Sequence, residues 1–207
     1  MRIIAGQKRG HKIEGPRASA AMRPTSDHVR ESLFNIVGDL MPGRAAVDLF
    51  AGTGAIGLEA LSRGAESAVF VEKDRESVAL IHGNVAKLRY QDRATIRLAD
   101  AYRWARVHAV EPGRPTAVFL DPPYRDYEAA AGVKRMRAVL DHLVENLAAG
   151  SLIVIEAGRV LDDRILPDFD AWDVRRYGDT QVGFWLRDGA GTLVEAGEEP
   201  EAEVGDG

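Results

Sequence analysis

The sequence predicts an α/β protein, a doubly wound and mostly parallel sheet that finishes in an antiparallel hairpin. Three observations point there. Short apolar runs alternate along the chain with stretches of helical periodicity. A glycine-rich turn, Gly52-Thr53-Gly54-Ala55-Ile56-Gly57, carries the first strong apolar run straight into a helix. Asp48, Glu72, Asp100 and Asp121 each stand at the end of a strand-like run, and sheets of this kind bind ligands beyond the carboxyl ends of their strands.

The elements follow in order. Ile3-Ile4 and Lys12-Ile13 flank Gly6–Gly10 and read as a short hairpin. The first thirty residues carry Arg2, Lys8, Arg9, Lys12, Arg17, Arg23 and Arg30 against Glu14 and Asp27. Such a basic arm suits phosphates, although a solvated leader would have the same composition. Thr25, Ser26 or Asp27 can cap a helix whose apolar residues Val29, Leu33, Phe34, Ile36 and Val37 recur at helical spacing, with Pro42-Gly43 as its stop. Its polar residues Arg23, Thr25, Arg30, Glu31 and Asn35 could face a ligand.

A strand from Ala45 leads through Asp48 into the glycine turn and a helix bearing Ile56, Leu58, Ala60 and Leu61. A second strand, 67–71, ends at Glu72, twenty positions after Gly52, where an acid reaches the hydroxyls of a ribose. A helix runs from about Ser77 to Leu88, and the third strand, 94–98, is followed by Asp100. That acid can accept from an adenine amino group or cap the helix expected over 101–110, and the roles are compatible. The fourth strand is 117–120. A helix then covers 129–147 and a fifth strand 151–156, and the runs 171–177 and 181–187 form a hairpin around Gly178-Asp179-Thr180. The expected division is a basic N-terminal extension and helix over 1–40, the main domain over 41–188 and an acidic disordered tail over 189–207.

Composition sets limits. The chain has 207 residues, 45% hydrophobic and 29% charged, which suits one soluble domain with a small appendage. It has no cysteine, so a disulfide framework, a thiolate metal site and a cysteine nucleophile are all excluded. No apolar run approaches the roughly 18 residues of a membrane span, and Met1–Gly6 lacks the apolar core of a signal peptide, so a cytoplasmic protein away from membranes is expected. The net charge of −5 hides an asymmetry, since the last twenty residues are acidic and carry no Lys or Arg.

The most informative stretch is Val118-Phe119-Leu120-Asp121-Pro122-Pro123-Tyr124. The prolines end the strand and fix the backbone beyond it. The result is a rigid corner that offers a carboxylate, unladdered carbonyls and a flat ring. A planar amino group fits it: its hydrogens need acceptors and its ring needs a stacking partner. Alone, Asp-Pro-Pro could be no more than a strand-ending turn, and Tyr124 could be a packing residue. The glycine turn upstream favours a ligand, and Asp48 beside that turn would repel a pyrophosphate but suit an ammonium and a sulfonium. S-adenosylmethionine is therefore expected in preference to NAD.

Together, Asp48–Gly57, Glu72, Asp100 and Asp121–Tyr124 resemble the Rossmann-like class I S-adenosylmethionine-dependent methyltransferases that act on exocyclic amino groups. With Arg2–Gly6, Arg23-Pro24-Thr25, Val29–Asn35 and Tyr177–Thr180 added, the chain resembles the bacterial RsmD family over about residues 1–187. That resemblance implies methylation of the N2 amino group of a guanine in 16S ribosomal RNA, within a small ribosomal subunit or its assembly intermediate, by a monomer. It implies Asp121, Pro122 and Tyr124 as catalytic residues. It assigns Asp48, Gly52, Gly54, Glu72, Asp100 and Thr25 to the cofactor, and Arg2, Lys8, Arg9, Lys12, Arg23 and Tyr124 to the RNA; no metal is expected. DNA-adenine and protein-glutamine methyltransferases share the corner, the latter usually with Asn where this chain has Asp121. A nucleotide-binding module without catalysis would keep the glycine turn and have no need of the corner. The five histidines show no metal-ligand spacing, and Trp104, Trp172 and Trp185 read as packing residues.

Overall fold

The structure is a computed structural model and describes residues 1–15, 27–109 and 111–193. Its centre is a seven-stranded sheet in the order β3-β2-β1-β4-β5-β7-β6. The strands are β1 (Ala45–Leu49), β2 (Ser67–Glu72), β3 (Ala94–Leu98), β4 (Thr116–Leu120), β5 (Leu152–Ala157), β6 (Asp173–Tyr177) and β7 (Thr180–Leu186). β1 to β5 are parallel. β7 runs antiparallel to β5, from Leu152↔Leu186 to Ala157↔Gln181, and β6 hangs outside it. The mostly parallel sheet with a terminal hairpin is thus borne out. The hairpin's second strand is the inner one because it carries the buried side chains Val182, Phe184 and Trp185, whereas Asp173 and Arg176 of β6 suit an edge.

Successive side chains of the central strands point into two separate cores, as the period of a strand requires. Ala46, Ala117, Phe119 and Val154 face helices α1 (Asp27–Val37), α2 (Ala55–Ser62) and α3 (Arg75–Leu88). Val47, Leu49, Val118, Leu120 and Ile153 face α4 (Ala101–His108) and α6 (Ala130–Asn146), which follows the short α5 (Arg125–Glu128). Gly57 lets α2 lie on β2, since a Cβ there would come within 2.4 Å of the Phe70 ring. α1 ends earlier than Pro42 suggests and passes into a 3-10 turn, Gly38–Leu40, where a Cβ on Gly38 would meet the Arg63 guanidinium.

The N-terminal hairpin is present, with an Arg2↔Lys12 bridge and Ile3 N–H donating to the His11 carbonyl. It is not a solvated arm. Ile3 and Ile13 are buried in the α1–α3 core, each worth about 1.5–3 kcal/mol on transfer from water. The Ile4 and Ala5 N–H groups donate to the two carboxylate oxygens of Glu59 at 2.8 and 3.0 Å. Glu59 is fully buried in α2, and these bonds and Arg63 Nε at 2.9 Å keep its charge from standing unpaired. Gly6 allows the contact, because a Cβ would sit 2.0 Å from the Ser62 carbonyl oxygen. A division of the chain at residue 40 therefore has no counterpart in the packing: the hairpin and α1 belong to the same core as the sheet.

The expected tail also starts too early. Gly150 N–H donates to the Asp188 carbonyl at 2.8 Å, Arg44 donates to the Ala190 carbonyl at 2.6 Å, and Ala190 is buried. Residues 194–207, like the segment holding Arg17, Arg23 and Thr25, lie outside the described residues. Among the described residues, no helix is long and apolar enough to cross a membrane.

Candidate active site

Register alone brings the strand-end acids together. Leu49 is level with Val71 on one side and with Leu120 on the other, so Glu72 and Asp121 flank residue 50 on neighbouring strands. At two strand spacings they are about 10 Å apart. Glu72 is in turn level with Leu98, which sets Asp100 two positions further along the same rim. A cleft of about 1460 Å³ opens above this row and is lined by Asp48, Gly52, Glu72, Asp100, Asp121 and Tyr124, among others. It exceeds the size typical of a pocket for one small molecule, so a cofactor and a base fit together.

The glycine turn is shaped by backbone. Gly52 and Gly54 have φ of 53° and 79°, a region closed to most side chains. Phe50, just before them, has φ of 64° and no such licence. Strain of this kind costs about 1–3 kcal/mol and persists where the surroundings enforce it. Here the Phe50 ring packs edge-on against Tyr102 at 4.9 Å between centroids. Its left-handed turn carries the chain off the end of β1 and leaves a notch between Glu72 and Asp121.

Each acid on the β1–β3 side also holds the loops in place. Glu72 accepts from Gly52 N–H at 3.0 Å and from the Lys73 and Asp74 N–H groups at 2.8 and 2.9 Å. Asp48 accepts from Gly57 N–H at 2.8 Å. Burial pushes the Asp48 carboxyl well above the usual carboxylate range, and the charges of Asp121 and Glu72 push it further. Asp100 caps α4, accepting from Arg103 N–H at 2.9 Å, which is the capping role the sequence allowed for it.

On the other side, Asp121 continues β4, its N–H directed at the Leu49 carbonyl at 3.4 Å. The Pro123 carbonyl accepts from Asp126 N–H at 2.8 Å and starts α5. Behind the corner, the Tyr102 hydroxyl donates to Asp126 at 2.9 Å, Arg135 pairs with the other Asp126 oxygen at 3.1 Å, and the Arg135 guanidinium lies 4.6 Å from the Tyr102 ring centre. Burial and the Asp126 charge keep the Tyr102 hydroxyl protonated far above its ordinary range. Tyr124 is 50% exposed at the cleft mouth, which does not fit a core role.

The proposed RNA residues are dispersed. Arg2, Arg9 and Lys12 are exposed. Lys8 lies over the Tyr90 ring at 5.7 Å, and its N–H donates to Ser62 at the end of α2 remote from the glycine turn. Arg30 is fully buried and donates to the Arg2 carbonyl at 2.9 Å, so it does not face the cleft. Sequence reasoning missed Phe50, Tyr102, Asp126 and Arg159. Outside the cleft it also missed Glu59, whose signal was visible as an acid within the apolar run of α2. Among the described residues, no three His, Asp or Glu side chains are grouped to hold a metal ion.

The model of the family described as "Conserved hypothetical protein 95" matches residues 1–186. The chain belongs to that family. It is 32% identical over 190 residues to the Bacillus subtilis protein named "Putative rRNA methyltransferase YlbH", covering 91% of this chain and all of that one. It is 40% identical over 126 residues to the Escherichia coli "Ribosomal RNA small subunit methyltransferase D", an alignment covering 60% of this chain and 61% of that protein. The solved structure titled "Putative methyltransferase yhhF from Escherichia coli" superposes with a TM-score of 0.69 at 30% identity, covering 91% of this chain and 98% of that one. The RsmD-family resemblance and the Rossmann-like methyltransferase fold read from the sequence are borne out.

Proposed function

We propose that this RsmD-family member transfers a methyl group from S-adenosylmethionine to the exocyclic N2 amino group of a guanine in small-subunit ribosomal RNA. One observation carries the reading: the Asp121-Pro122-Pro123-Tyr124 corner opens onto the same cleft as the glycine turn and Glu72. The names of both relatives support ribosomal RNA as substrate, and that of the Escherichia coli protein supports RNA of the small subunit. A cytoplasmic location accords with that substrate, and one chain supplies both halves of the cleft, as a monomer requires.

The residues present fit the cofactor. Burial and the neighbouring charges of Asp121 and Glu72 raise the cost of ionising Asp48, and a bound cation relieves that cost. Glu72 would hold the ribose hydroxyls and Asp100 the adenine amine, Gly52 and Gly54 would allow close backbone approach, and Asp48 would face the ammonium. S-adenosylmethionine, when bound, supplies a methyl group activated by a sulfonium.

The remaining work falls to the corner. A guanine amine is a weak nucleophile because its lone pair is delocalised into the ring. Asp121 and the Pro122 carbonyl accept its two hydrogens, favour a pyramidal nitrogen and aim the lone pair along the cleft. The Pro123 carbonyl is engaged by Asp126, so Pro122 supplies the second acceptor. Tyr124 stacks on the base, which has to leave its own stack to enter. Such positioning is worth roughly 7–11 kcal/mol. Asp121 need not be a strong base, since the amine becomes acidic only as it is alkylated.

The test is nucleoside mass spectrometry of ribosomal RNA after incubation with labelled cofactor. N2-methylguanosine is expected. Label in N6-methyladenosine or in glutamine of a protein substrate would instead favour another amino-methyltransferase.

A further inference from the structure

Among the described residues, the arginines that line the cleft, Arg125, Arg135, Arg159 and Arg176, lie on its β4–β7 side, opposite most of the acids. They are not equivalent. Arg135 is engaged by Asp126 and the Tyr102 ring, and Arg176 donates to the Gly178 carbonyl at 2.9 Å. Arg159 lies on the ring expected to receive the base, its guanidinium 4.6 Å from the Tyr124 centroid. Its backbone is held close, since a Cβ on the neighbouring Gly158 would stand 3.2 Å from Cδ2 of Tyr124. Its ion-pair partner is Glu128, 2.8 Å away, and both side chains are half exposed, at 51% and 52%. A pair this exposed is weak and exchangeable. A guanidinium stacked on an aromatic face keeps its in-plane N–H groups for an anion and matches the two oxygens of a phosphate.

We propose that Arg159 is the phosphate contact of the nucleotide whose base stacks on Tyr124. The guanidinium keeps its place on the ring and exchanges the Glu128 carboxylate for the RNA backbone beside the target guanine. The assignment rests on the ribosomal-RNA reading above. It makes Glu128 a placeholder that presets the guanidinium plane and is displaced when RNA arrives. It also puts the decisive basic contact after β5 and not at the tip of the N-terminal hairpin, where Lys8 is turned onto Tyr90.

The experiment uses the full chain, a labelled transcript of small-subunit ribosomal RNA and a series of salt concentrations. Arg159→Ala should lower the slope of log affinity against log salt by about 0.7–0.9, the contribution of one phosphate. It should raise KM for RNA about tenfold, with kcat and cofactor affinity near wild type. Arg159→Lys should keep the slope and recover part of the KM. Glu128→Gln separates this role from a structural one. A displaced placeholder predicts RNA binding as tight as wild type or tighter, whereas a brace for Tyr124 predicts a loss matching that of Arg159→Ala. Such a loss, or an Arg159→Ala protein with wild-type slope and KM, overturns the assignment. A wild-type protein that methylates no ribosomal RNA overturns the proposed function, and this assignment with it.

Discussion

The two halves of the cleft are built by different means. On the β1–β3 side, buried or capping carboxylates bonded to backbone N–H groups hold the shape: Glu72 ties Gly52 to Lys73 and Asp74, Asp48 ties β1 to α2 through Gly57, and Asp100 caps α4. On the β4–β7 side, side chains do it: Asp126 links Tyr102 and Arg135 behind the corner, and Arg159 stacks on Tyr124 at the mouth. A cofactor has one shape, and a preformed backbone cradle suits it. A nucleotide leaving a larger RNA has to be admitted, and half-exposed side chains with exchangeable partners suit that. Mutations on the first side should therefore act on affinity and fold, and mutations on the second on transfer and RNA.

The largest effect should come from removing residues 1–14. Their Ile3 and Ile13 leave the core, and Glu59 loses two N–H donors while its charge stays buried. Arg63 still pairs with Glu59, but each lost hydrogen bond to its carboxylate costs about 1.5–3 kcal/mol. Thermal melting should show no cooperative transition, and a truncated protein that melts like wild type would break the claim that the hairpin braces the cofactor side. Next is Asp121→Ala, expected to lower kcat by about 10²–10⁴-fold while titration calorimetry finds cofactor affinity almost unchanged. Tyr124→Ala should weaken use of RNA by about 1–3 kcal/mol, the value of one stacked base, and Tyr124→Phe should lose little. Equal losses would transfer the role from the ring to the hydroxyl.

The smallest effect sharpens the comparison through pH. Burial raises the Asp48 pKa in the fold. The folded protein therefore binds more protons than the unfolded chain between the ordinary carboxylate value and the raised one, and stability falls as pH rises through that window. Asp48→Asn should remove this loss and melt higher than wild type at neutral pH. It should also bind the cofactor less tightly and lose the rise in affinity with pH that ionisation of Asp48 confers on wild type. Calorimetry across pH checks both signs.

Much of this was legible in the chain, for physical reasons that also explain what was not. The strand runs at 45, 67, 117 and 151 were visible because both faces of the sheet are covered there, which makes these strands nearly continuous in apolar residues. The acids could be placed because strand ends share one rim in a parallel sheet. The order of β6 and β7 could not be read, since a hairpin pattern does not say which strand is inner. Nor could the link from Tyr102 to Asp126, 24 positions apart, or the positive φ of Phe50, because each depends on partners brought close only by the fold. That the leader joins the core could not be read either, because Ile3 and Ile13 find their apolar partners only in the fold.

The central claim is that donor and base meet across the notch between Glu72 and Asp121. A crystal structure with S-adenosylhomocysteine tests it most directly. The account predicts the ribose on Glu72 and the sulfur facing the Asp121 carboxylate across a gap one amino group wide. A ligand seated elsewhere, or one whose sulfur faces away from Asp121, would contradict it.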